Sequence, residues 1–278
     1  MQNQQSLKAP IGVFDSGYGG LTILQQMRRR LPEYDFIYLG DNARAPYGTR
    51  SFEVVYEFTL QAVEQLFRMG CQLVILACNT ASAKALRSIQ QHDLPNIDPD
   101  RRVLGVIRPT AEVVGDISRT GHVGIFGTAG TIASESYPLE LKKLAPELIV
   151  TGEACPMWVP LVENREGDGP GADYFIQKHV DALMQRDRAI DTIILGCTHY
   201  PILERKIRRY LPPGVEVISQ GTIVADSLAD YLKRHPEMDD RISKSGQCSF
   251  YTTESEQRFG EFASVFLNET VEASRITL

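Results

Sequence analysis

The chain has 278 residues, of which 43% are hydrophobic and 23% charged, with five cysteines and a formal net charge of -6 at pH 7. That length is long for one core and comfortable for two domains, and the composition is that of an ordinary soluble globular protein. The acidic balance argues against a general nucleic-acid binder, which neutralises phosphates with clustered Lys and Arg.

The chain opens on a polar stretch, residues 1–10, that lacks the apolar segment of a secretory signal. No apolar run approaches the ~20 residues of a membrane helix. The expectation is a cytoplasmic protein with no membrane partner and with reduced thiols, because an odd number of irregularly spaced cysteines gives no disulfide framework. Short β-branched apolar runs at 11–14, 35–39, 73–77, 103–106, 123–126 and 192–195 read as buried strands. Between them, 21–31, 52–69 and 174–185 carry helical patterns. Strands alternating with helices predict an α/β fold with a mostly parallel sheet. The basic runs Arg28-Arg29-Arg30, Arg101-Arg102 and Arg208-Arg209 fall near the ends of helical patterns, where cations face the negative end of the dipole.

A weak internal repeat organises the chemistry. Ile11-Gly12-Val13-Phe14-Asp15-Ser16-Gly17 resembles Val123-Gly124-Ile125-Phe126-Gly127-Thr128-Ala129, and Val74-Ile75-Leu76-Ala77-Cys78-Asn79-Thr80 resembles Ile193-Ile194-Leu195-Gly196-Cys197-Thr198-His199. Both pairs recur about 110 to 120 residues apart, in the same order. Two related halves facing one another would bring Cys78 and Cys197 to opposite sides of a cleft, beyond the carboxyl ends of strands, where ligands of open α/β sheets bind.

Each motif has a functional and a structural reading. Cys78 precedes a helix-like stretch at 81–89; the free N–H groups of a helix start can hold a carboxylate and lower a thiol pKa from its usual ~8.5. Asn79 and Thr80 add side-chain donors. The same residues also suit a buried Cys before an N-cap. In the second motif His199 can orient or protonate a neighbouring group, or the segment is a turn closed by Pro201. Asp15-Ser16-Gly17-Tyr18-Gly19-Gly20 is a poor dinucleotide fingerprint, since Thr22 stands where Gly is needed. Asp15 reads as a strand-end carboxylate that positions an ammonium or a thiol, or as a helix cap. The loop at 40–48 could present backbone N–H groups and Tyr47 to a small ligand. The stretch 154–163 reads as rigid and extended because of its prolines, ending on Glu163 as a second acid near the cleft. Residues 166–171 read as a loop, and Cys71, Cys155 and Cys248 as core or incidental. A zinc site from Cys78, Cys197 and His199 lacks the usual ligand spacing, so no metal is expected. A cysteine hydrolase would leave the second, symmetry-related Cys without a role.

Taken together, the runs at 11–21, 40–48, 78–82, 154–163 and 195–201 resemble the glutamate racemase family over nearly the whole chain and in the right order. The resemblance implies two pseudo-symmetric parallel-sheet α/β domains, 1–107 plus 219–278 and 108–218, with the active site between them. It implies racemisation of L- and D-glutamate without pyridoxal phosphate, metal or other cofactor, a supply of D-glutamate for peptidoglycan, and a homodimer. By position, Cys78 and Cys197 match the two acid/base thiols, with Asp15, His199 and Glu163 as their helpers. Ser16, Pro46, Tyr47, Gly48, Asn79, Thr80 and Thr198, with Asp15 and His199, match substrate contacts. Asn42, Ala45 and Arg108 depart from the family pattern, where Thr, a larger aliphatic and often Glu are expected; Arg108 lies near the expected domain crossing. A related aspartate or hydantoin racemase would keep both cysteines, and a non-catalytic amino-acid-binding protein would keep the cleft.

Overall fold

A computed structural model describes residues 8–278; residues 1–7, part of the polar stretch read as no secretory signal, lie outside the described residues. Among the described residues there are ten strands: β1 (Ile11–Asp15), β2 (Phe36–Gly40), β3 (Leu73–Leu76), β4 (Arg102–Gly105), β5 (His122–Gly127), β6 (Ile149–Ala154), β7 (Thr192–Gly196), β8 (Glu216–Ile218), β9 (Cys248–Thr252) and β10 (Ala273–Arg275). They form a six-stranded sheet in the order β10-β9-β2-β1-β3-β4 and a four-stranded sheet in the order β6-β5-β7-β8, with every strand pairing parallel. Parallel neighbours need long crossovers, which the helices supply while covering both faces. That is why β1, β3 and β7 read as unbroken apolar runs: every residue in them is buried.

The order β2-β1-β3-β4 in one sheet matches β6-β5-β7-β8 in the other. The repeat seen in the sequence is therefore a repeat of topology, with β5 equivalent to β1 and β7 to β3. The chain leaves the first sheet through the helix Ile107–Ile117 and returns through the helix Gln220–Arg234. Ile107, Ala111 and Val114 join Val123, Ile125 and Ile194 in the core of the second sheet. Val224, Ala225, Leu228 and Leu232 join Val13, Ile11 and Phe36 in the core of the first. Among the described residues no helix is long and apolar enough to cross a membrane.

Local physics accounts for most boundaries. Ser51 caps the helix Phe52–Arg68 by accepting from Val54 N, and Val55, Thr59, Ala62, Val63 and Leu66 form its buried stripe at helical spacing. Arg28, Arg29 and Arg30 end the helix Leu21–Arg30, and Arg208 and Arg209 lie in the last turn of the helix Glu204–Tyr210. Arg101-Arg102 departs from that pattern, because Arg102 opens β4. Arg101 still serves a helix end: it donates to Phe67 O at 2.7 Å and lies over the Phe67 ring.

Two expectations are corrected. The stretch 154–163 is not extended throughout: Trp158–Glu163 is a helix. Pro160 is its third residue, and in a first turn the missing N–H has no intrahelical partner to lose. Residues 170 and 171 of the presumed loop already belong to the helix Pro170–Arg186, with Pro at its start as helix geometry favours.

Candidate active site

β1 and β3 are neighbours, and the pairing continues past their ends: Ala77 N donates to Phe14 O at 2.8 Å. This brings Cys78 beside Ser16, with Sγ and Oγ 3.4 Å apart. Cys78 is itself the N-cap of the helix Asn79–Lys84, its Sγ accepting from Ala81 N at 3.5 Å. The helix therefore begins two residues earlier than the sequence reading placed it. In the other half Cys197 follows β7 directly, its Sγ 3.9 Å from His199 Nδ1. The opposite ring nitrogen, Nε2, lies 3.1 Å from Glu163 Oε1 at the end of the helix Trp158–Glu163.

Both thiols line one cavity of about 90 Å³ between the two sheets. That is room for roughly six to nine water-sized spheres, the size of a small amino acid. Ser16, Pro46, Tyr47, Gly48, Asn79, Thr80, Glu163, Thr198 and His199 share its wall. Asp15 does not reach it. The Asp15 carboxylate is buried beneath, accepting from Gly17 N at 2.8 Å and from Thr198 Oγ1 at 3.5 Å. The cavity is closed by contacts between the halves: the Thr80 and Thr128 hydroxyls are 3.0 Å apart, Gly130 N donates to Gly48 O at 2.8 Å, and Thr22 Oγ1 donates to Thr198 O at 3.2 Å. A larger cleft of about 680 Å³ lies behind the helix Asn79–Lys84, beside Arg108 and Glu112, and contains neither thiol.

Two side chains differ from their expected roles. Tyr47 turns its hydroxyl away from the cavity onto Asp41, which also accepts from Arg44 Nε and Thr253 Oγ1. What Tyr47 offers a ligand is its ring and backbone. The Asn79 amide is likewise engaged, by Gln220 and Tyr137. Of the departures, Arg108 is exposed and paired with Glu112, Ala45 lines the cavity, and Asn42 accepts from Thr252 Oγ1.

The electrostatics are asymmetric. Burial, and then Asp15, push the Cys78 thiol up to about 12. The expected lowering by the helix start is outweighed, because one N–H at 3.5 Å in a six-residue helix is small beside loss of solvent. Burial also raises Asp15, against the pull of His199. For His199 burial opposes the charged form, but its bonds to Cys197 and Glu163 prevail and raise it to about 10. At neutral pH the site thus holds a protonated thiol on one side and an imidazolium beside the other sulfur. Such an arrangement can take a proton from one face of a bound carbon and supply one to the other.

Thr128, Ala129, Pro156 and Val159 also line the cavity and were not read from the sequence. A signal existed for Thr128: in the repeat it stands opposite Ser16.

A sequence profile of the Asp/Glu/hydantoin racemase family matches residues 11–228. Among curated proteins, the glutamate racemase of Ruegeria sp. is 43% identical over 94% of this chain and 97% of its own. Among solved structures, glutamate racemase isoform RacE1 from Bacillus anthracis superposes with a TM-score of 0.88 at 35% identity, covering 97% of this chain and 98% of its own. The glutamate racemase from Francisella tularensis, solved in complex with D-glutamate, superposes with a TM-score of 0.86 at 30% identity, covering the same shares.

Proposed function

The chain belongs to the Asp/Glu/hydantoin racemase family, and from that membership we propose that it is a glutamate racemase, an isomerase that interconverts L- and D-glutamate with two cysteines and no pyridoxal phosphate or metal. The observation that carries the two-base reading is that thiols from equivalent strand ends, after β3 and after β7, line one cavity from the two halves. In this reading the halves are residues 1–107 plus 219–278 and residues 108–218, each contributing one base.

Racemisation removes a proton from one face of Cα and returns one to the other. With D-glutamate bound, the Cys78 thiolate takes the Cα proton and becomes a thiol, while the Cys197 thiol delivers its proton to the opposite face. L-Glutamate leaves, and the reverse reaction exchanges the roles. The family resemblance supports this assignment of enantiomers. The substrate ammonium, brought into a nearly water-free site, favours the Cys78 thiolate and works against the burial that holds the thiol protonated. The imidazolium of His199, held by Glu163, stands beside the Cys197 sulfur and steadies its thiolate; the site is reset when Cys78 gives up a proton and Cys197 regains one from solvent. Thr80 and the N–H groups at the start of the helix Asn79–Lys84 are the donors for the α-carboxylate, on which charge builds as the proton leaves, while Thr198, its hydroxyl turned to Asp15, lines the wall beside them. Ser16, Pro46, Tyr47 and Gly48 complete the wall around the substrate. The product suits peptidoglycan synthesis in the cytoplasm, and the working form is a homodimer.

Circular dichroism of L-glutamate incubated with the protein and a chelator, without pyridoxal phosphate, should decay to zero, and L-aspartate should persist under the same conditions. Cys78→Ala and Cys197→Ala should each lose racemisation by about 10²–10⁴ or more. In deuterated buffer Cys197→Ala should still exchange the Cα proton of D-glutamate, and Cys78→Ala that of L-glutamate. Racemisation by either variant at close to the wild-type rate would sink the two-base mechanism.

A further inference from the structure

A ring of three hydrogen bonds sits at the point where the chain crosses between the halves. Asn79 Nδ2 donates to Gln220 Oε1 at 2.8 Å, Gln220 Nε2 donates to Tyr137 Oη at 2.7 Å, and Tyr137 Oη donates to Asn79 Oδ1 at 2.7 Å. Gln220 Nε2 also donates to Thr110 Oγ1 at 2.8 Å and approaches Val106 O at 3.1 Å, and Thr110 Oγ1 donates to Val106 O. All five residues are buried, none more than 2% exposed.

The sense of the ring is set from outside it. The Val106 carbonyl can only accept, so the Gln220 amide must turn its nitrogen that way. Gln220 Oε1 then requires a donor, which fixes the Asn79 amide. Asn79 Oδ1 in turn requires the Tyr137 hydroxyl, which accepts from Gln220. Each partner comes from a different place: Asn79 follows Cys78, Tyr137 lies in the helix Ser136–Leu144 of the second half, Gln220 opens the returning helix, and Val106 precedes the outgoing one. The helix Asn79–Lys84 is too short to hold its own orientation. With its first side chain buried and fully engaged, it cannot shift against the crossings without stranding a polar group.

We propose that Gln220 and Tyr137 are positioning residues for Cys78, joining the placement of this thiol to the register of the two halves, so that the base is aligned only while the ring is closed. The proposal rests on Cys78 being a base, as read above. It concerns neither substrate contact nor general cohesion. The ring touches the segment that carries Cys78, whereas Cys197 is held by His199.

Tyr137→Phe deletes one oxygen and keeps the buried ring, and Gln220→Met keeps length without the amide. Each should lower kcat roughly tenfold to a hundredfold, the cost of a misplaced group, with KM changing less than about threefold. The double variant should be no worse than the poorer single one, because a ring opened once is already open. Thr192→Val, which removes a buried hydroxyl bond to Asp191 at the end of β7 opposite Cys197, should leave kcat unchanged. Iodoacetamide labelling read by peptide mass spectrometry tests the geometry without substrate: in Tyr137→Phe the labelling rate of Cys78 should change by about threefold or more and that of Cys197 should not. The proposal is overturned if Tyr137→Phe leaves both kcat and Cys78 labelling within twofold of wild type, or if both cysteines shift alike, which would mark a loosened cleft. If wild-type protein racemised no glutamate while the labelling change stayed confined to Cys78, the substrate assignment would fall and the positioning role would stand.

Discussion

Asp15 is a carboxylate kept where a carboxylate is unfavourable. It lies beneath the cavity floor at 1% exposure, and burial raises its pKa despite the nearby His199 and the Gly17 N–H. A raised native pKa means that the folded state binds the proton more tightly than the unfolded chain. Its contribution is therefore fully present below the unfolded value near 3.8 and is lost as pH rises through the native value. At neutral pH Asp15 weakens the fold; what it supplies is placement, since its carboxylate accepts from Gly17 N of one half and from Thr198 Oγ1 of the other. Asp15→Asn should raise the melting temperature at pH 7 by a few degrees, a gain that should vanish below about pH 4, while lowering kcat. A calorimetric scan at both pH values together with a rate assay checks this. An unchanged rate would make Asp15 a turn-former that holds Gly17.

At the scale of elements, the loop after β1 is shaped to accept the other half. A Cβ on Gly19 would collide with Thr198 Oγ1 and come within 2.5 Å of His199 Nδ1. Gly19 needs no unusual backbone angle; it is required because His199, packed between Cys197 and Glu163, has no room to retreat. Gly19→Ala should push the segment carrying Thr198 and His199 off the first half and cost about 10²-fold in kcat/KM. Circular dichroism should show each sheet intact. Gly171→Ala, where a Cβ meets nothing within 4 Å, is the matched control and should keep full activity. Equal activity in both variants would mean that the contact at Gly19 plays no part in building the site.

The whole molecule is two sheets joined by two crossings, and its surface keeps large apolar side chains exposed, among them Leu139, Leu144 and Ile149 of the second half and Phe52 of the first. The homodimer proposed above would have such side chains to cover. Sedimentation velocity at micromolar concentration should give twice the 31.0 kDa protomer mass. A single 31.0 kDa species across the concentration range would overturn the dimer.

How much was legible in the sequence follows from how local each determinant is. β1, β3, β5 and β7 are buried on both faces and so announce themselves as apolar runs. β6 and β10 lie at sheet edges, β8 is three residues long, and β9 buries only Phe250 and Thr252 of its five residues; none carries an apolar run, and all four were missed. The two cysteine motifs were readable because the repeat writes the same strand-end geometry twice, and the register of β3 on β1 and of β7 on β5 places each thiol mechanically. Tertiary structure alone decided where the polar groups point. Tyr47 turns to Asp41, Asn79 to Gln220 and Tyr137, and Asp15 lies under the floor. These partners stand up to 141 residues apart in the chain, and a side-chain hydrogen bond depends on a distance and an angle that no local pattern encodes. The rise of the Cys78 thiol had the same origin: a helix start is written in the sequence, but the loss of solvent around it exists only once the two halves have closed.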